Sequence, residues 1–429
     1  MAIRIFTSFK DVTMIKSEEI SKYDRDNIKA GDKVYFWYDQ LDRVVRQMPF
    51  DNFINEHHAL VLKNQPGASK LVICFHGDYF NKVDLHEFSN KIIKLGLQRS
   101  RNILFIAVDE SFKDFAKKHF NETNIPHVEC VTLPYMILST PERNLNIDIT
   151  KKFSIFSRNY RGERLLLYYN LHKKNLLRYA NYSFHYRFPY GTKEEALVSK
   201  NKMYGLLREY MNRQPIDINS IDWSELNTWV DNGPYELPDV YGVSGETEEK
   251  KDAANFSNKW SPIVENNIRD SYFNVVVESH YEHTNPGFRY DSKYSYLEFS
   301  PTFITEKTYK AIMCQRPFIL YAGAYGLRQL RKMGFKTFAP YINEEYDECR
   351  DDIERMRMVA DEIERLCNLP DDELKDLFYN HLFPVAIYNQ TVLKKYQNQF
   401  TAKEWFPEID SYFRYTADLD NIIRKELYK

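Results

Sequence analysis

Apolar runs of strand length alternate with helix-length amphipathic stretches along most of this 429-residue chain, and that alternation leaves few folds open. Lys70-Leu-Val-Ile-Cys-Phe75, Asn102-Ile-Leu-Phe-Ile-Ala-Val108 and His127-Val-Glu-Cys-Val-Thr-Leu133 read as strands, the first of them buried. Leu85 to Leu97 and Ser111 to Phe120, lying between them, carry helical spacing. The first six residues, Met1-Ala-Ile-Arg-Ile-Phe6, read as another strand. Strand, helix and strand in succession predict a parallel α/β sheet, because parallel neighbours need a long crossover.

The length predicts two cores rather than one. Pro134 and the polar run from Ser139 to Asn146 mark a boundary, which sets a first domain at residues 1–145. A second α/β unit opens with the strand Lys152 to Phe156, followed by predicted helices from Arg161 to Leu177 and from Lys193 to Asn212. Alternation resumes with a strand from Tyr272 to Glu278, a helix after Thr305, a strand after Pro317 and a helix from Tyr325 to Lys332, and the chain is mostly helical from Glu345. This places the second domain at 150–385. Residues 214–258 break the pattern; the acidic, turn-rich part from Glu236 to Lys251 predicts a loop, either a lid or a plain insertion. The segment 386–429, with helices near Leu393 and Asp418, is expected to cross back onto the first domain.

Hydrophobic content of 43% and charged content of 28% are those of a soluble globular protein. The net charge of −2 provides no overall basic field for nucleic acid, so anion binding has to come from local clusters. Five cysteines without a C-x-x-C pair predict free core thiols in a reducing compartment. The sequence shows neither a signal peptide nor an apolar run near the ~20 residues of a membrane span, which predicts a cytoplasmic protein.

The chemistry-bearing residues gather at predicted strand ends. Thr305 is a good N-cap, which puts Glu306 and Lys307 in the first helical turn. A lysine there opposes the helix macrodipole; it is either a solvent-facing residue or part of an anion site suited to phosphate. Arg158 and Arg161 follow the strand ending near Phe156, where open α/β sheets bind phosphorylated ligands, and arginine's fork suits phosphate oxygens. Eight lysines and arginines fall between Lys151 and Arg178, against the single acid Glu163. They make either a ligand or DNA surface or a solvated helix face. Glu278 closes the strand Val275-Val-Val277, a position where carboxylates hold ribose or sugar hydroxyls. His280-Tyr-Glu-His283 offers metal-ligand residue types but no helical ligand spacing, so exposed loop histidines stand beside a metal hydrolase based on His280 and His283.

In the first domain His76-Gly77-Asp78 and Asp109 follow strands. His76, Asp78 or Asp109 could act as general base, and turn chemistry is the competing reading. An α/β-hydrolase is disfavoured because Gly242-Val-Ser-Gly-Glu246 lacks the last glycine of G-x-S-x-G. Asp418-Leu-Asp420 lies in a predicted helix rather than after a strand, and no Walker loop or G-x-G-x-x-G occurs.

Phe303-Ile-Thr-Glu-Lys-Thr-Tyr-Lys310, Arg316-Pro-Phe-Ile319, Leu330-Arg-Lys-Met-Gly-Phe-Lys-Thr-Phe338 and Ile342-Asn-Glu-Glu-Tyr-Asp347 together resemble the donor domain of virus- and phage-encoded glycosyltransferases. The Thr-Glu-Lys core is also similar to that of α1,3-fucosyltransferases, in which an upstream strand ends in a glutamate, as at Glu278 here. The resemblance covers residues 152–350 and implies a GT-B fold: two Rossmann-like domains facing across a cleft, with a helical C-terminal segment. It implies a metal-independent enzyme with no cofactor and a nucleotide-sugar co-substrate. The acceptor would be a hydroxyl on either a hydroxymethylated base of viral DNA or a cell-surface glycan. Carried over, Glu306 meets ribose or base, Lys307 and Arg158 hold the diphosphate, Arg161 and the Thr305 cap belong to the same donor site, and Glu278 meets the sugar or its neighbour. A non-catalytic nucleotide- or glycan-binding protein of the same fold is the alternative.

Overall fold

The computed structural model describes residues 3–7, 33–39, 54–65, 69–74, 82–107, 110–132, 149–157, 162–184, 193–213, 221–232, 267–278 and 304–399. They form a mixed α/β protein with two all-parallel sheets, each in its own compact unit.

In the first unit β1 (Ile3–Thr7), β2 (Lys33–Asp39), β3 (Ser69–Cys74), β4 (Ile103–Ala107) and β5 (Glu129–Thr132) lie in chain order. Helices α1 (Glu56–Asn64), α2 (Lys82–Lys94) and α3 (Glu110–Glu122) connect successive strands from β2 onward. One face of the sheet, with Phe36, Leu71, Ile73, Ile103 and Phe105, shares a core with Leu85, Phe88 and Ile92 of α2 and with Ala116 and Phe120 of α3. Val72 and Leu104 alternate to the opposite face and are buried too, so apolar runs without alternation were the right signature. The strand order has no reversal among the described strands, unlike a Rossmann sheet, which turns back at a switch point. β2, Lys33-Val-Tyr-Phe-Trp-Tyr-Asp39, has no counterpart among the predicted elements.

In the second unit the order is β7-β6-β8-β9, with β6 at Lys151–Ser157, β7 at Ala180–Phe184, β8 at Ser271–Val277 and β9 at Phe318–Tyr321. The helices are α4 (Gly162–Lys173), α5 (Lys193–Arg213), α6 (Trp223–Asp231), α7 (Glu306–Met313), α8 (Gly326–Lys332), α9 (Asp352–Asn368), α10 (Asp371–Asp376) and α11 (Phe383–Gln399), with one π-helical turn, Leu377–Leu382, before α11. α4 is buried almost all round, Leu165 to Tyr169 included, because it packs on both α5 and α9 as well as facing its sheet. Lys152 at the start of β6 donates to the carbonyls of Cys367 (2.9 Å) and Leu369 (2.8 Å) and pairs with Asp371 (3.0 Å), which caps the end of α9 with a cation.

Five helices end alike. Gly96, Asn124, Asn175, Gln315 and Gly334 each have positive φ, between 53° and 87°. The next residue's N–H reaches back five positions, Leu97 to Ile92 and Leu176 to Leu171 among them. Only two of the five are glycine, in a chain that holds 14 glycines altogether. The predicted helix from Arg161 to Leu177 therefore stops at Lys173, because Asn175 takes the left-handed conformation.

Two further differences follow from local chemistry. Within 214–258, expected to be irregular, α6 forms: Asp222 accepts from the N–H groups of Ser224 and Glu225, and Leu226, Trp229 and Val230 are buried at helical spacing. The remaining parts, 214–220 and 233–258 with the expected lid, lie outside the described residues. α11 runs through residue 385, packs on α7, and sends Leu393 into the core of the second unit. The segment after residue 399 lies outside the described residues.

Candidate functional site

β6 leads outward to β7, and the chain then returns to the other flank of β6 to form β8. The carboxyl ends of β6 and β8 are thus the place where the connections diverge, and open α/β sheets bind ligands there. Ile155 pairs with Val275, so Ser157 and Val277 finish at the same edge, followed on β8 by Glu278.

Glu278 is fully buried. Its Oε1 accepts from the Thr305 N–H at 2.9 Å and the Thr308 hydroxyl at 2.6 Å, and its Oε2 accepts from the Thr305 hydroxyl at 2.5 Å. These bonds anchor the start of α7 to the end of β8. Thr305 is the N-cap, with extended backbone and its Oγ1 accepting from the Lys307 N–H at 3.3 Å. The same oxygen accepts from Lys307 Nζ at 3.0 Å, and that ammonium lies 3.8 Å from Glu278 Oε2. Lys307 is folded back over the first turn of its own helix and keeps 29% of its side chain exposed. A cation thus stands over the start of α7 at the strand ends, where the Thr305 and Lys307 N–H groups are already bonded within the protein.

Arg164, in the first turn of α4, closes the other side. Its guanidinium donates to the Glu278 carbonyl at 3.1 Å and to Ser157 Oγ at 3.4 Å, bridging the ends of β8 and β6. It is buried, and sequence reasoning passed it over in favour of Arg158 and Arg161, since spacing from a strand end says nothing of which arginine turns inward. Gly162 lets α4 start here: a Cβ on it would lie 2.5 Å from the Leu206 carbonyl oxygen of α5.

Thr305, Lys307 and Glu278 thus come together. The sequence suggested that Glu278 meets the sugar or its neighbour; in the structure its two carboxylate oxygens accept from Thr305 and Thr308. Glu306 opens α7, and its side chain lies outside the described residues. Arg158, Arg161, His76, Asp78, Asp109, His280, His283, Asp418 and Asp420 lie outside them as well.

The basic cluster between Lys151 and Arg178 is not one surface. Lys152 caps α9, Lys173 pairs with Glu225 at 3.8 Å, and Lys174 pairs with Asp361 and Glu364. These sit at the start of β6 and the end of α4, the sheet edge opposite Arg164. Lys152, Lys173 and Lys174 are thus engaged within the protein, while Arg158 and Arg161 lie outside the described residues.

The start of α8 is filled by a carboxylate where that of α7 is filled by the Thr305 hydroxyl. Asp347, buried, accepts from the N–H groups of Leu327 (2.7 Å) and Arg328 (3.0 Å). Among the described residues no group of three His, Cys, Asp or Glu side chains is placed to hold a metal ion, and no helix is long and apolar enough to cross a membrane. Among the described residues Cys130, Cys314, Cys349 and Cys367 are free thiols, and burial pushes Cys130 and Cys367 up to about 12, so neither is a nucleophile at neutral pH.

Fold and site together define a parallel α/β protein with a lysine held over a helix start at a switch point. No protein-family model matches the chain, and no curated protein does. Among solved structures it is similar to an alpha,alpha-trehalose-phosphate synthase (UDP-forming) from Burkholderia vietnamiensis, with a TM-score of 0.40 and 10% sequence identity over 92% of this chain and 74% of that one.

Proposed function

We propose that the protein is a metal-independent glycosyltransferase of GT-B type whose second unit binds a nucleotide-sugar at the carboxyl edge of β6 and β8. The observation that carries this is the Lys307 ammonium held over the start of α7 at the switch point, 3.0 Å from Thr305 Oγ1. In the reaction the anomeric carbon–oxygen bond to the diphosphate breaks, the acceptor oxygen bonds to that carbon, its proton passes to a base, and nucleoside diphosphate departs with the electron pair. A fixed cation and helix N–H groups stabilise the departing charge without reorganising. Lys307 and Arg158 are the proposed diphosphate ligands, with Arg161 beside them, and Glu306 reads the ribose or base. The proposed base is Asp78, with His76 and Asp109 as the other candidates.

Thermal-shift screening of the full chain against uridine, guanosine, adenosine and cytidine diphosphates tests this reading. A ligand at 100 times its dissociation constant stabilises by about 2.7 kcal/mol. Lys307→Ala should abolish that shift with little change in its own melting temperature. No shift with any of the four, or an undiminished shift in Lys307→Ala, removes the donor-site reading.

A further inference from the structure

Glu278, Thr305 and Lys307 form a chain whose direction is fixed by hydrogen-bonding capacity. An ionised carboxylate accepts only, so the single Thr305 hydroxyl proton must point at Glu278 Oε2, 2.5 Å away. That turns both lone pairs of Thr305 Oγ1 away from Glu278. They receive the Lys307 N–H at 3.3 Å and the Lys307 ammonium at 3.0 Å. The ammonium also lies 3.8 Å from Oε2 of the same carboxylate.

This placement runs against the local field. A lysine in the first turn is repelled by the positive helix end and by default extends into water. Here it bends back over that end, and Glu278, buried beneath it, is the negative charge that offsets the repulsion. The carboxylate itself is fully buried and bonded to Thr305 and Thr308, so it meets no ligand directly.

We propose that Glu278 is a positioning residue, which holds the Lys307 ammonium over the start of α7 through the Thr305 hydroxyl. The consequence for the donor site rests on the reading given under Proposed function; the positioning itself does not. Sugar hydroxyls then fall to groups other than Glu278.

The test needs no ligand. The full chain is treated with a limiting amine-acylating reagent, and the rate at each lysine is read by peptide mass spectrometry. In Glu278→Gln the rate at Lys307 should rise severalfold relative to Lys310 and Lys332, because the ammonium, 3.8 Å from Glu278 Oε2, is no longer held against the helix start by a carboxylate. A general loosening of the unit would speed all three lysines together, and that result overturns the proposal, as does an unchanged Lys307 rate. If Glu278→Gln does not fold, Thr305→Val should raise the Lys307 rate and Thr305→Ser should restore it; equal rates in the two overturn the proposal. Uridine and guanosine diphosphate titrations then separate the two readings. Weakening by Lys307→Ala and by Glu278→Gln that is not additive in the double variant supports both. A Lys307 that answers to Glu278 in the acylation assay but contributes nothing to diphosphate binding leaves the positioning intact and removes the donor site.

Discussion

Gly162 lies so close to Leu206 that a Cβ on the glycine would sit 2.5 Å from the leucine carbonyl oxygen and 2.7 Å from its carbonyl carbon. Backbone, not a flexible side-chain tip, fills that space, so α4 and α5 can pack at this distance only with glycine there. Gly162→Ala should destabilise the second unit by about 1–3 kcal/mol, the usual range for overpacking. Chemical denaturation followed by tryptophan fluorescence, with Trp223 and Trp229 in the same unit, gives the measurement. An alanine variant as stable as the parent means that α5 shifts without strain.

Lys152 joins the sheet to the end of α9, through the Cys367 and Leu369 carbonyls and the Asp371 carboxylate. Lys152→Met keeps most of the stem and removes the charge. The expected loss is about 1.5–3 kcal/mol, the range for hydrogen bonds to a charged group. Hydrogen exchange should show faster opening at the C-terminal end of α9 and unchanged protection in β4 of the other unit. Uniform protection along α9 in the variant counts against a capping role.

Asn175 stands in the left-handed region at φ 55°. A residue with a Cβ and no compensating local hydrogen bond costs about 1–2 kcal/mol there, whereas glycine costs nothing. Asn175→Ala should lower stability by about 1 kcal/mol, and Asn175→Gly should match or exceed the parent. Urea melts of the three proteins decide it, and the idea fails if alanine is the equal of glycine.

Burial is the main reason that the carboxyls of Glu344 and Asp347 titrate above their ordinary range, against the pull of backbone N–H groups and Arg331. A carboxyl with a raised folded-state pKa favours folding in its protonated form. That contribution is present at low pH and lost as pH rises through the folded pKa. Glu344→Gln and Asp347→Asn cannot gain it. The melting-temperature difference, parent minus variant, should therefore grow in the parent's favour as pH falls from neutrality toward the ordinary carboxylate range. A difference that stays flat or shrinks over that window would falsify the assignment.

Strands flanked by helices were readable where the strand is a β-branched or aliphatic run, at a sheet edge (β5, β9) as well as inside it. β3, β4, β6 and β8 carry apolar runs such as Leu71-Val-Ile73 and Val275-Val-Val277 because both of their faces are covered. The edge strand β7, Ala-Asn-Tyr-Ser-Phe, is short and half polar and had no counterpart among the predicted elements, and the helix before it was drawn too long because Asn175, not glycine, makes the stop. β2 was missed although its aromatic run, Tyr35-Phe-Trp-Tyr38, is of a kind that strands favour. α6 disappeared into a polar context despite its Asp222 cap.

The Thr305 cap and the first-turn place of Lys307 are local facts, and the sequence by itself determined them: a short hydroxyl side chain before a helical run can satisfy a nearby N–H without help from elsewhere. What Glu278 touches was decided only by the tertiary structure. Strand order brings the end of β8 beneath the start of α7, 27 residues later, and no spacing rule encodes that approach. The same holds for Arg164 across the gap from β6 to β8, and for the basic residues that α4 distributes to opposite edges of its sheet. Residue type sets what a side chain can bond, whereas packing sets which partner arrives, and a buried carboxylate goes to whichever donors the fold delivers.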